Sequence, residues 1–229
     1  MARRIPESRF DELVRAATSV FIARGYRLTQ MSDVAEAVGV AKGTLYGYVE
    51  SKDALLWVCL RHADETGPIP LPESLPVSTL PAGQLGMEVK TALNAELTQP
   101  LLLDALKRDR AEDPIREMRG IIGELYDLVF ENRHRIKLLD RCLDHPELAD
   151  LWQTQGREQP RRTLVRYLER RIAAGQIRPV PNVRLAARMV IETVTTWAVH
   201  IHWDRAPEPF DLGESRSNTL EFLVRGLIV

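Results

Sequence analysis

The sequence predicts an all-α protein with a small amino-terminal helical head and a larger carboxy-terminal helical bundle. Three observations carry this expectation. Apolar residues recur three or four positions apart through nearly every segment, the spacing of one helix face. No run alternates apolar and polar residues as a strand does, and no Asn-Gly hairpin signal occurs. Prolines and glycines fall between the periodic stretches, where helices start and stop.

From Arg9 to Ala23 the stripe Phe10, Leu13, Val14, Ala17, Val20 and Phe21 predicts a first helix, ended by Gly25. A short second helix follows, with Val34, Ala35 and Val38 on its apolar face. Gly39 stops it where a Cβ would strain a left-handed turn. Val40 fills the corner, and a third short helix spans 41–48, with Leu45 and Val49 pointing inward. Ser51 is a good N-cap for the next helix, Asp53 suits its positive end, and the pattern runs to about Glu65. Segment 66–83, TGPIPLPESLPVSTLPAG, carries five of the fourteen prolines. It reads as an extended linker or surface loop and marks the domain boundary. Helical patterns then recur at 84–98, 100–110, 113–141, 146–173, 182–204 and 213–227, with Pro160 expected to break or kink the stretch 146–173. The expected division is a head at residues 1–65, the Pro-rich segment 66–83 and a bundle at 84–229.

At 229 residues with 45% apolar content, the chain is long enough to bury a sizeable core. Its net charge of −1 argues against a nonspecific nucleic-acid coat. Residues 1–62 nevertheless hold nine Arg or Lys against seven Asp or Glu, and the remainder holds 22 against 25. Cys59 and Cys142 sit far apart in apolar contexts and read as free thiols of a reducing compartment. No 18-residue apolar run marks a membrane span. The start MARRIPESRF has a basic pair but no apolar run behind it, so it is not a secretory signal, and a cytoplasmic location is expected.

The two short helices cornered by Gly39 have the plan of a helix-turn-helix, whose second helix lies in the major groove of DNA. The reading chemistry must then come from AKGTLYGY, 41–48. Ala41 and Gly43 are small enough for close approach to the duplex, where the helix start favours phosphate. Lys42 and Thr44 are placed to reach base edges or nearby phosphates, and Tyr46 and Tyr48 offer hydroxyls to phosphate oxygens. Lys52 is mildly unfavourable in the first turn of its helix, which a bound phosphate would explain. Its alternative is a solvated surface lysine.

These residues resemble the TetR family of bacterial transcriptional regulators. The likeness rests on Gly25-Tyr26, Met31, Val34-Ala35, Gly39-Val40, Lys42-Gly43-Thr44-Leu45-Tyr46 and Ser51-Lys52-Asp53-Ala54-Leu55-Leu56, and it covers about residues 9–60. Weaker likeness to the ligand-domain half of one TetR subgroup continues at 124–152 and 167–190. The sequence departs from the family pattern in three places. Gln30 stands where Ser or Thr commonly caps the second helix, so either Thr29 caps it or the cap is weaker, a matter of about 1 kcal/mol. Gly47 and Tyr48 replace the frequent Arg-His or Trp-His pair, and Val49 replaces the usual Phe. The expected DNA-binding set is Thr29, Gln30, Lys42, Gly43, Thr44, Tyr46, Tyr48 and Lys52.

The resemblance implies a homodimer held by the last two helices of each subunit. The stripes Leu185, Met189, Val190, Trp197, Ile201 and Leu220, Leu223, Val224, Leu227 permit this, or else face the subunit's own core. It also implies an unidentified small-molecule effector in the rear domain. Tyr126, Phe130 and Trp152 either line its pocket or are ordinary core aromatics. Repression is expected over activation, because blocking a promoter requires only occupancy. The implied partners are a double-stranded palindromic DNA operator, the effector and a second copy, with no cofactor, metal or membrane.

Two other classes fit less well. For an enzyme, no HExxH, no GxSxG elbow and no phosphate loop occurs, and His200 and His202, two apart on a helix, cannot share one metal. A helical adaptor accounts for the rear bundle and the near-neutral charge. It leaves residues 28–56 unexplained.

Overall fold

The structure, a computed structural model, describes residues 7–96 and 98–228. The basic pair Arg3–Arg4, and Leu97 in the stretch 84–98, lie outside the described residues. In chain order the helices are α1 (Glu7–Leu28), α2 (Met31–Val38), α3 (Lys42–Leu45), α4 (Lys52–His62), α5 (Gln84–Glu96), α6 (Pro100–Ala105), α7 (Pro114–Glu131), α8 (Arg133–Arg141), α9 (Ala149–Leu151), α10 (Gln159–Ala173), α11 (Val183–Ala198) and α12 (Leu212–Leu227). A π-helical segment, Trp152–Glu158, precedes α10, and a 3-10 turn, His200–Trp203, follows α11. Among the described residues, β pairing is confined to the isolated bridges Val49–Val77 and Ile177–Ile228. No described helix is long and apolar enough to cross a membrane.

The chain folds into two compact units. One comprises the described residues up to Ala92 together with His134–Trp152, and the other comprises Leu93–Arg133 and the residues from Gln153 onward. In the first, α1 packs on α4 and α2. Phe10, Leu13, Ala17 and Phe21 of α1 and Leu55, Leu56 and Cys59 of α4 have no exposed surface. Each such leucine or phenylalanine contributes about 1.5–3 kcal/mol relative to an exposed one. At Gly25 the backbone turns to φ 78°, ψ 172°, breaking α1 where expected, although one more turn follows to Leu28.

Two expectations are corrected here, and a third, at Pro160, is met. The Pro-rich segment is not a boundary, because its whole length belongs to the first unit. Ile69 is buried, and its N–H donates to Asp11 at 3.0 Å. Val77 N donates to Tyr48 O at 2.8 Å, and Glu50 N returns a bond to Val77 O at 3.0 Å. Fixed φ at five prolines makes this an extended strap with backbone groups free to pair outward.

The stretch 113–141 is two helices. The Asp64 carboxylate accepts from His134 N (2.8 Å) and Arg135 N (3.0 Å), capping α8 from 70 residues away. The stretch 146–173 changes from π-helix to α-helix just ahead of Pro160, which sits in the first turn of α10.

In the second unit α7 packs on α11 and α12, and α10 packs on α11 and α6. Met118, Ile121, Ile122, Leu164, Leu168, Ala187, Val190 and Val194 form its core.

Candidate nucleic-acid interface

The corner between α2 and α3 closes through its backbone. Gly39 takes φ 70°, ψ 37°, its N–H donates to Glu36 O at 3.0 Å, and Val40 N donates to Ala35 O at 2.9 Å. This double closure satisfies the last carbonyls of α2 and needs a residue without a Cβ penalty. Met31, Val34 and Ala35 turn inward, so α2 lies on the head with its polar side outward.

α3 is held from below by Leu45 and Val49, both with no exposed surface. Its regular part, Lys42–Leu45, is shorter than the expected 41–48; residues 46–48 continue as turns, with Gly47 N on Thr44 O at 3.0 Å. Lys42, Gly43, Thr44 and Gly47 are exposed, and Tyr46 is 42% exposed. One ammonium and two hydroxyls are thus exposed along this short helix and its C-cap. A Cβ on Gly43 would meet nothing within 4 Å, so packing does not require glycine there.

Three of the expected contacts are placed otherwise. Tyr48 is buried, 3% exposed, with its ring stacked on Phe10 at 6.3 Å, and burial pushes its phenol pKa up. It serves the core in place of the missing Phe at position 49. Thr29 is also buried, and its hydroxyl donates to Gly25 O at 2.6 Å, so it neither caps α2 nor faces outward. Lys52 turns its ammonium inward, onto Tyr26 O (3.0 Å) and Thr29 O (3.1 Å), and lies 4.1 Å from the centre of the Tyr26 ring. A cation in the first turn of α4 is explained by these carbonyls, without a phosphate.

Gln30 opens α2 and stays exposed. Its N–H donates to Asp33 at 2.8 Å, and Arg24 pairs with the same carboxylate at 2.8 Å. The Gln30 bond, helped by Arg24, holds the Asp33 carboxyl below the usual carboxylate range. At the next helix Ser51 caps as expected, accepting from Ala54 N at 3.1 Å. The entry turn carries a network that sequence reading missed: the Tyr26 hydroxyl donates to Asp53, and the His145 ring meets the Tyr26 ring edge-on at 4.6 Å. Only the spacing of Gly25-Tyr26 before the motif hinted at it.

In the second unit Leu220, Leu223, Val224 and Leu227 are buried, 4–7% exposed, on a helix that packs against α7. They face the subunit's own core, the second of the two readings the sequence left open. The exposed large apolar side chains of α11 and α12 are Leu185 (54%), Met189 (60%), Leu212 (48%) and Phe222 (75%), of which Leu212 and Phe222 were not anticipated. A cavity of about 450 Å³ opens between α11 and α12, lined by Thr193, Trp197, Phe210, Glu214, Asn218 and Phe222 among others. Tyr126, Phe130 and Trp152 do not line it. Tyr126 is buried and donates its hydroxyl to Trp197 O at 3.3 Å, the Phe130 ring lies tilted against that of His202 at 5.6 Å, and Trp152 belongs to the first unit. Cys59 and Cys142 are buried free thiols, and burial pushes each up to about 12, which makes them unreactive.

A glycine-cornered pair of helices on a small helical head has the plan of a helix-turn-helix fold. Residues 13–57 match the model of the bacterial regulatory proteins of the tetR family. The chain is 25% identical over 227 residues to the HTH-type transcriptional repressor KstR2 of Mycolicibacterium smegmatis, covering 97% of this chain and 92% of that one. It is 22% identical over 223 residues to the fatty acid metabolism regulator protein of Bacillus subtilis, covering 96% and 95%. The ketosteroid transcriptional regulator KstR2 of Mycobacterium tuberculosis shares the fold along the whole length of both chains, with a TM-score of 0.60 at 19% identity. Residues 13–57 are thus similar to the DNA-binding head of the tetR family, and the relatives that match along the chain are themselves named as transcriptional regulators.

Proposed function

We propose that this protein is a transcriptional repressor that binds a palindromic DNA operator as a homodimer and is released by a small molecule held in the second unit. One observation carries the reading: α3 is anchored by fully buried Leu45 and Val49 while Lys42, Thr44 and Tyr46 are exposed around it. That is the requirement for a helix that enters a major groove and reads base edges. Exposed Gly43 favours close backbone approach to the duplex. The relative from Mycolicibacterium smegmatis is itself named a repressor, which favours repression.

A dimer places two such helices in successive major grooves, roughly 34–36 Å apart. The exposed Leu185, Met189 and Phe222 are the apolar surface that supports pairing through α11 and α12. The effector class to test first is apolar and lipid-like, since the Bacillus subtilis relative is named for fatty acid metabolism. Effector binding that changes the groove spacing releases the operator, and a coupling of about 1–3 kcal/mol shifts affinity by 5–150-fold.

Footprinting on the DNA flanking the protein's own gene tests the reading. A protected palindrome whose affinity falls steeply with salt is expected. Fatty-acid and steroid derivatives are then screened for release of the footprint. Failure to protect any such DNA at low salt overturns the reading.

A further inference from the structure

The turn that aims the helix-turn-helix is gripped by residues more than a hundred positions away in sequence. Arg141, at the end of α8, donates from Nε to Ile22 O at 2.9 Å and from Nη2 to Ala23 O at 3.1 Å. These are the last carbonyls of α1 before the break at Gly25. Arg27 N, just past that break, donates to Asp144 Oδ2 at 2.8 Å. A Cβ on Gly25 would lie 2.8 Å from the backbone oxygen of Arg141, so the two backbones touch where the chain bends. His145 closes the same side, its ring against Tyr26.

We propose that Arg141 and Asp144 are positioning residues for DNA recognition: they fix the Gly25–Arg27 bend and thereby the direction in which α2 and α3 leave α1. This rests on the DNA-binding reading above. Glycine's wide conformational freedom leaves the direction of the bend to its hydrogen-bond partners, of which the Thr29 hydroxyl on Gly25 O is a local one. α1 ends there with carbonyls that need donors, and Arg141 supplies two. The turn after it has an N–H that needs an acceptor, and Asp144 supplies it. Neither side chain is core: both are exposed, so each can be replaced without opening a cavity. Segment 134–152 also joins the second unit covalently at both ends, at Arg133/His134 and at Trp152/Gln153.

Asp144→Ala gives the decisive test, because two explanations predict opposite signs. Loss of a carboxylate near a DNA-binding face, acting through charge alone, tightens binding to a polyanion. Loss of the acceptor for Arg27 N loosens the bend and weakens binding. Affinity for the mapped operator is measured across a salt series for wild type, Asp144→Ala, Asp144→Asn and Arg141→Ala. Asp144→Ala and Arg141→Ala are expected to bind about tenfold more weakly, within the range of ordinary coupling between sites. Their salt slopes should match wild type, since no phosphate contact is lost. Asp144→Asn keeps an acceptor oxygen and should restore affinity. Tighter or unchanged binding by Asp144→Ala overturns the proposal, as does a salt slope reduced by about one in Arg141→Ala, which would make Arg141 a direct phosphate contact. If wild type binds no operator, the functional reading fails; if wild type and Asp144→Ala bind alike, the clamp alone fails.

Discussion

Arg171 donates from Nε to Glu117 Oε1 at 2.8 Å with its side chain wholly removed from solvent. The remaining guanidinium donors go to Ala105 O (2.8 Å), Arg108 O (2.9 Å) and Asp109 O (3.2 Å), and the Tyr167 hydroxyl reaches the same Glu117 oxygen at 3.2 Å. One side chain of α10 thereby satisfies the end of α6 and the start of α7. A fixed planar fork suits such a site better than a point-charge ammonium.

Replacing Arg171 by Met should therefore destabilise the protein by about 3–5 kcal/mol, since three carbonyls and a carboxylate lose a buried donor. Urea unfolding measures it. Arg171→Lys should recover only part of the loss, and a cost under about 1 kcal/mol for the Met variant would show that the network contributes little.

Three glycines of the head should respond to alanine differently. Gly25→Ala meets both a disallowed backbone conformation and the Arg141 carbonyl, so it should cost most, about 1–3 kcal/mol from the backbone alone. At Gly39 only the left-handed conformation opposes alanine, for about 1–2 kcal/mol. Gly43→Ala should stabilise the fold by up to about 1 kcal/mol, because neither conformation nor space demands glycine, while weakening operator binding. Thermal melts and operator titrations of the three variants check the order.

Acid should weaken the first unit through His145. Its Nδ1 accepts from Glu147 N at 3.2 Å, which the neutral ring allows and the doubly protonated ring does not. Burial, only partly offset by Asp53, holds its pKa below the ordinary 6.5. The unfolded chain then takes up the proton more readily than the folded one, so this stability is complete above about pH 6.5 and declines as the pH falls below it. His62, lowered chiefly by burial, acts in the same direction. Melting temperature should drop between about pH 7 and pH 5, and less steeply in His145→Gln. Equal slopes for the two proteins would assign the effect elsewhere.

Adjacent residues of α12 should separate association from folding. Phe222, 75% exposed, should give a monomer of near-normal stability when changed to Glu, as sedimentation will show. Leu223, 7% exposed, should cost about 2–5 kcal/mol on change to Ala through the cavity it leaves.

The helix-turn-helix was legible because its determinants are local. Gly39 supplies a left-handed corner to residues four positions away, Ser51 caps an N–H three positions on, and Leu45 and Val49 follow the period of a helix with one face inside. The split between α7 and α8 was not legible, since the cap that starts α8 is Asp64. Lys52 and Tyr48 were misplaced for a related reason: the carbonyls that draw in one and the Phe10 ring that shelters the other lie 23 to 38 residues away in sequence.

By itself the sequence determined that the chain is helical, where most helices begin, and that a glycine-cornered helix pair lies near its start. Hydrogen bonds and steric preferences within a few residues set those features, and they are written in order along the chain. Only the tertiary structure decided which face of each helix looks inward. Periodicity defines a stripe without saying what covers it, so Leu220–Leu227 and Phe222 are told apart only by what packs beside them. The same holds for polar groups, whose roles depend on partners brought near by folding: Arg141 and Asp144 acquire theirs only when a distant bend in α1 arrives beside them.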